Sequence, residues 1–211
     1  SSIQLTIEPS LRRQLGEEGY DLEATPGTVI IRAAGPAGLF YGIQTLRQLL
    51  PPAACSRQRV EPVPWTIPCV HITDCPRFQW RGLLIDPARH FIPVPDVEQY
   101  LDVMALHKFN RLQIHLTDDQ GWRIEIKKYP LLTQIGAGMD FTTMTQKRGA
   151  DGAKRGAGAN NPSPPQTGQD RVNAELQTRG FYTQDDIRHL VRYAAERYIT
   201  IVPEIEMPAH T

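Results

Sequence analysis

The stretch Arg81–Glu125 constrains the fold more than any other part of the chain. Arg81–Asp86 is a short apolar run, a helical segment follows, and Arg111–Thr117 is a second apolar run. Strands linked through a helix run parallel, with a right-handed crossover. Each run ends in polar groups. Pro87, Ala88, Arg89 and His90 follow the first, and Asp118, Asp119, Gln120, Gly121, Trp122 and Arg123 follow the second. In a parallel sheet or barrel, the residues after the strand ends gather on one face, where ligands bind. A third run, Ile199–Ile205, brings Glu206, Met207, Pro208, Ala209 and His210 to that face.

The helices between these runs carry their own signals. Pro95 suits a first helical turn, where its missing N–H would lack a partner anyway. Val97, Tyr100, Leu101, Met104 and Lys108 make a stripe that is apolar except at its last position. Asn110 is a residue able to end that helix in a left-handed conformation. A second helix starts at Thr183, with Asp186 at capping-box spacing. Its predicted inner face is Ile187, Leu190, Val191, Ala194 and Tyr198.

Residues 1–68 read as a small α+β unit. Ile3, Leu5 and Ile7 alternate like a half-buried strand. Tyr20–Ala24 and Thr28–Ala33 flank the turn Thr25-Pro26-Gly27, a hairpin signal. Gly35–Leu50 follows as a helix, with Leu39, Ile43, Leu46 and Leu50 on one face. The unit begins abruptly on a strand, so sequence before Ser1 is expected. Prolines at 51, 52, 62, 64 and 68 make the next stretch extended and linker-like. Residues 69–211 carry the β/α pattern, interrupted at 136–180 by a segment holding 8 of the 16 glycines and the pair Pro164-Pro165. That segment reads as a mobile insertion, either a substrate lid or a solvated surface loop.

Composition excludes several classes. The 23 basic residues balance 23 acidic ones, which argues against nucleic acid or an anionic membrane as partner. No apolar run reaches the roughly 20 residues of a membrane span, and Ser1–Ser10 has no signal-peptide pattern. No phosphate-binding glycine motif occurs. Cys55, Cys69 and Cys75 fit no zinc spacing; they read as idle thiols, with a Cys69–Cys75 disulfide left open.

Four blocks then resemble one family: AAGPAGLFYGIQTLRQLLP (33–51), DCPRFQWRGLLIDPARHF (74–91), ALHKFNRLQIHLTDDQGWRIEIKKYPLLTQIGA (105–137) and GFYTQDDIRHLVRYAAERYITIVPEIEMPAH (180–210). Their content and order resemble the family-20 glycoside hydrolases, the β-N-acetylhexosaminidases of bacterial type. The resemblance implies an α/β fold: the N-terminal part of a (β/α)8 TIM barrel preceded by a small α+β accessory domain. It implies removal of terminal β-linked GlcNAc or GalNAc with retention, the substrate's own 2-acetamido oxygen acting as nucleophile. It implies a carbohydrate partner and no metal or organic cofactor. Export suits an enzyme of such polymers better than the cytoplasm, while oligomeric state is not readable.

Residue by residue, Arg89 matches the arginine that grips hydroxyls of the terminal sugar, a task suited to a planar charged fork. A salt bridge to Asp86 or Asp118 is its alternative role. Asp118 and His210 match two members of an Asp–His–Glu relay, in which the Asp orients the His and the His contacts the general acid. The alternative for Asp118 is a cap on a tight turn, and by spacing alone Asp119 is an equal candidate for the relay. His115, Glu204 and Glu206 are candidates for a supporting polar layer. Trp122 reads as a packing residue rather than a sugar platform.

Two departures stand out. Position 209 is Ala where the family usually has Gly, which costs about 1 kcal/mol if the backbone there needs positive φ. The family's Asp-Glu catalytic pair lies at the end of the next strand, beyond Thr211. The chain is therefore expected to be the front part of an active enzyme. The alternative is a naturally truncated, non-catalytic relative serving as an interaction module.

Overall fold

The structure is a computed structural model that describes residues 2–56, 64–138 and 179–207. The chain divides into two compact units: Ser1–Arg81 with Val103–Asn110, and Gly82–Asp102 with Arg111–Thr211. Among the described residues, no helix is long and apolar enough to cross a membrane.

The first unit is a four-stranded sheet with one long helix. Its elements are β1 (Ser2–Ile7), the short α1 (Arg12–Leu15), β2 (Tyr20–Thr25), β3 (Thr28–Ala33), α2 (Pro36–Leu49) and β4 (Val70–Asp74). Strand order is β1-β3-β2-β4. β1 runs parallel to β3, and β2 runs antiparallel to both neighbours. The β2–β3 hairpin closes over Pro26 and Gly27, and Gly27 takes the positive φ of 96° that the turn requires. The sheet thus runs to Asp74, past the 68/69 division read from the prolines. β4 is a short polar-apolar alternation, VHITD, that only its pairing with β2 reveals. β4 also separates Cys69 from Cys75. Its five residues span roughly 13 Å, too far for a disulfide, and both cysteines are free and exposed.

α2 buries a different face from the one its leucines suggest. The buried positions are Gly38, Tyr41, Gly42 and Thr45, at i, i+3, i+4 and i+7, together with Gln44, whereas Leu39, Ile43, Leu46 and Leu50 are only half-buried. The reason is close approach. A Cβ on Gly38 would lie 2.2 Å from the Gly19 carbonyl oxygen, and one on Gly42 would lie 2.5 Å from Ile31 Cγ2. The two glycines let the helix backbone lie directly on the sheet, and Thr45 reaches the Tyr20 hydroxyl at 2.6 Å. Tyr20 in turn donates to Asp74 at 2.9 Å, and the Lys108 ammonium donates to both Tyr20 and Asp74, at 2.8 and 3.1 Å.

The second unit carries the β/α rhythm: β5 (Gly82–Ile85), α3 (Val94–Leu106), β6 (Arg111–Asp118), β7 (Gly121–Trp122), the short α4 (Leu131–Gln134), α5 (Gln184–Ala195) and β8 (Thr200–Ile205). α3 straddles the division, its last turn counting with the first unit. β6 lies between β5 and β8, parallel to both, and β7 folds back antiparallel on the end of β6. Leu112, Ile114 and Leu116 are buried on one face of β6. Gln113, His115 and Thr117 alternate with them and point to the other face. α5 buries Leu190 and Ala194, leaves Ile187 and Tyr198 half-buried and exposes Val191, at the margin of its apolar stripe. Its capping box is present: the Thr183 hydroxyl accepts from the Asp186 N–H, and the Asp186 carboxylate accepts from the Thr183 N–H.

Both helix ends turn on a left-handed residue with a side chain. Lys108 has φ 59° and Tyr198 has φ 57°. The hydrogen bonds match in the two places: Phe109 N–H to Met104 C=O with Lys108 N–H to Ala105 C=O, and Ile199 N–H to Ala194 C=O with Tyr198 N–H to Ala195 C=O. This is the Schellman pattern that usually carries Gly. Lys108, not Asn110, therefore holds the left-handed position after α3. Asn110 is otherwise committed: its side chain accepts from the Arg81 N–H and donates to Glu18 and to the Gln79 carbonyl.

Replacing Gly42 by Ala should lower stability by about 1–3 kcal/mol through overpacking against Ile31. Equilibrium urea unfolding would show it, and a cost under about 0.5 kcal/mol would mean that α2 can back off the sheet.

Candidate active site

The ends of the three parallel strands bring charged side chains together. β5 is followed by Asp86 and Arg89, β6 ends in Asp118, and β8 carries Glu204 beside His115 of β6, the two being register partners. Arg89 lies between two carboxylates. Its Nη1 donates to Asp86 Oδ2 and its Nη2 to Asp118 Oδ2, each at 2.5 Å, and its backbone N–H caps Asp86 Oδ1 at 3.1 Å. The Arg89 side chain stays 46% exposed, whereas that of Asp118 is 1% exposed. Both salt bridges weighed as an alternative role for Arg89 therefore exist, and they hold the guanidinium in place while half of it stays open.

Asp118 is a buried carboxylate with every charge-stabilising contact in reach. Oδ1 accepts the Asp119 N–H at 2.7 Å, and Oδ2 accepts from Arg89 and from His115 Nε2, the latter at 3.0 Å. Burial by itself would raise its pKa. The Asp119 N–H, His115 and Arg89 overcome that and hold it at about 2. Asp119 is half-buried and serves Asp118 through its backbone. Spacing alone leaves the two aspartates equal; burial and partners separate them.

His115 contacts a carboxylate at each ring nitrogen: Nε2 with Asp118 Oδ2 and Nδ1 with Glu204 Oε1, both at 3.0 Å. Burial pulls its pKa down, but Asp118 and Glu204 outweigh burial and raise it. Glu204 Oε2 accepts from the Gln113 amide at 2.7 Å, which with His115 lowers the Glu204 pKa. His115, Glu204 and Glu206 hold potential ligand atoms within 4.8 Å of one another. Both His115 nitrogens are already engaged by carboxylates in this cluster. The Glu206 N–H donates to the Thr117 hydroxyl at 2.9 Å. Trp122 is half-buried and its indole N–H donates to the Ile124 carbonyl at 2.8 Å, a packing arrangement. His210 and Ala209 lie outside the described residues, as does most of the 136–180 insertion.

One residue with a structural task carries no signal in the sequence beyond a charge beside a turn. Arg123 is fully buried. Its Nε donates to Pro87 C=O, Nη2 to Ala88 C=O, and Nη1 to both Ala137 C=O and Gly180 C=O, at 2.9–3.1 Å. The guanidinium therefore ties the loop that carries Arg89 to the two edges of the insertion, where the Gly180 N–H also donates to Ala137 C=O. Gly121 makes room for it: a Cβ there would lie 2.4 Å from the Arg123 guanidinium carbon.

With this geometry in view, comparison with known proteins is decisive. The model of the glycosyl hydrolase family 20 catalytic domain matches residues 78–211, and the model of domain 2 of that family matches residues 1–75. The chain belongs to glycosyl hydrolase family 20. It is 42% identical over 210 residues to a β-hexosaminidase of Porphyromonas gingivalis, covering 100% of this chain and 23% of that protein. It is 37% identical over 196 residues to a β-hexosaminidase of Akkermansia muciniphila, covering 93% of this chain and 32% of that one. Among solved structures it is similar to the Streptomyces plicatus N-acetyl-β-hexosaminidase in complex with thio-NAglucal, at 38% identity and a TM-score of 0.76 over 99% of this chain and 34% of that one. The family fold is α/β, a TIM barrel behind a smaller domain, and β5, β6 and β8 supply parallel barrel strands. The chain spans 23–32% of the length of these two curated relatives.

Replacing Arg123 by Met should cost about 3 kcal/mol or more, because buried carbonyls lose their donor. Denaturant unfolding measures this. A loss below about 1 kcal/mol would mean that water takes over the four carbonyls.

Proposed function

We propose that the whole protein carrying this chain is a β-N-acetylhexosaminidase. It removes terminal, non-reducing β-linked GlcNAc or GalNAc by retaining, substrate-assisted hydrolysis. The supporting observation is the pairing of half-exposed Arg89 with buried Asp118 at the carboxyl ends of parallel strands, in a family-20 chain. A mutant of the Streptomyces plicatus β-hexosaminidase, solved with its product GlcNAc, supports GlcNAc as a sugar of this site.

In this reading Arg89 grips hydroxyls of the terminal sugar with the exposed part of its fork, while Asp86 and Asp118 prevent the fork from rotating. Asp118 stays ionised and orients His210, which contacts the general acid. The 2-acetamido oxygen of the substrate attacks the anomeric carbon, and the general acid gives its proton to the departing glycosidic oxygen. Water then opens the oxazolinium ion with the same residue acting as base. The general acid and the acetamido-orienting Asp belong to the family pattern beyond Thr211. Residues up to about 75 form the accessory domain, and 78–211 belong to the barrel.

Arg89→Ala should lower kcat/KM on an aryl β-GlcNAc by about 10- to 100-fold, the worth of a charge-assisted hydrogen bond. An efficiency within twofold of wild type would remove Arg89 from the sugar site. Asp118→Asn should lower kcat by about tenfold or more and alter its pH profile. An unchanged profile would remove Asp118 from the relay.

A further inference from the structure

The charged groups at the strand ends form a single chain. The Gln113 amide donates to Glu204, His115 bridges Glu204 and Asp118, and Arg89 bridges Asp118 and Asp86. From Glu204 to Asp86 the charges alternate in sign. His115 sits at the centre and is 6% exposed. Each of its nitrogens is 3.0 Å from a carboxylate oxygen, and an ionised carboxylate only accepts. A neutral imidazole has one donor, so one nitrogen lone pair would then face a carboxylate lone pair. Both contacts are attractive only when both nitrogens carry protons.

We propose that His115 is a positioning residue of this site, a buried imidazolium that is braced on β8 by Glu204 and fixes the charge and orientation of Asp118. It touches no reacting atom. It acts through Asp118, and the proposal rests on the reading of Asp118 as the residue that orients His210. The register places the brace: His115 on β6 and Glu204 on β8 are direct partners, so the imidazole cannot swing away from Asp118 without leaving Glu204. Oδ2 of Asp118 takes both cations, and Oδ1 accepts the Asp119 N–H.

The groups facing His115 are Asp118 on its own strand, Glu204 and Glu206 on and after β8, and Asp86 after β5, with Arg89 as the other cation. The balance is anionic, in line with the upward shift of its pKa. The sign follows. A raised folded pKa means that the contribution of His115 to stability is complete below the ordinary histidine pKa of about 6.5. It is lost as pH rises through the folded value. Activity should fall over the same alkaline range, as Asp118 loses one of its two cations.

The test uses the whole protein with His115→Gln, Asp118→Asn and the double variant, assayed for kcat and KM on an aryl β-GlcNAc from pH 4 to 9. His115→Gln should lower kcat roughly tenfold or more, change KM little and displace the alkaline limb of the profile. In the Asp118→Asn background it should add almost nothing. An independent reading, needing no variant to fold, is the 15N shift of the His115 ring in labelled wild-type protein: both nitrogens should be protonated at pH 6. A neutral tautomer at pH 6 overturns the proposal. So does a His115→Gln variant of lower melting temperature whose kcat and pH profile match wild type. If Asp118→Asn lowers kcat and His115→Gln does not, the inference about His115 falls alone. If Asp118→Asn leaves both kcat and profile intact, the reading of the site falls with it.

Discussion

A single buried negative charge organises the ends of the parallel strands. Asp118 has a 1% exposed side chain and remains ionised. An unpaired carboxylate in that position would be costly enough to take up a proton. Groups from three places help meet the cost: Arg89 after β5, His115 on β6 and the Asp119 amide in the turn toward β7. Each cation needs an anion of its own, which is why Asp86 and Glu204 stand at the ends of the chain. The network follows from keeping one carboxylate charged in a place water hardly reaches.

Such a network needs backbones that do not move, and Arg123 supplies part of that rigidity. Its donors fix Pro87 and Ala88, the residues just before Arg89, and also the two edges of the long insertion. The residues at those edges, Ala137 and Gly180, are thus fastened to a residue of the barrel segment itself. The cost is a guanidinium with no exposure, whose pKa burial draws down. Four carbonyl dipoles around it act as the counter-charge.

Much of this is legible in the residues, and the failures have physical causes. The β/α rhythm is readable because parallel strands are apolar runs and α5 announces its start through Thr183 and Asp186. The β/α pattern puts Arg89 and Asp118 at strand ends, the family resemblance alone supplies their proposed roles, and their salt bridge, across 29 positions, is offered by the sequence only as an alternative. The buried face of α2 is misread because hydrophobicity singles out its leucines, whereas close packing selects Gly38 and Gly42, which have no side chain to count. The end of α3 is misread because Asn is the commoner left-handed residue. Its amide is spent on Arg81, Glu18 and Gln79, and the strain passes to Lys108.

The strain at Lys108 also explains something about the first unit. A left-handed lysine costs about 1 kcal/mol relative to glycine, yet glycine could not replace its ammonium, which joins buried Tyr20 to Asp74. Asp74 closes β4, Tyr20 opens β2, and Thr45 of α2 completes the set. One unfavourable dihedral therefore secures the last strand of the sheet, its second strand and its helix at a single point. Tyr198 takes the same left-handed turn before β8 with the same two backbone hydrogen bonds. The shared geometry is a solution to reversing from helix into strand. At Lys108 the side chain reflects what has to be fastened there, not the backbone's preference for glycine.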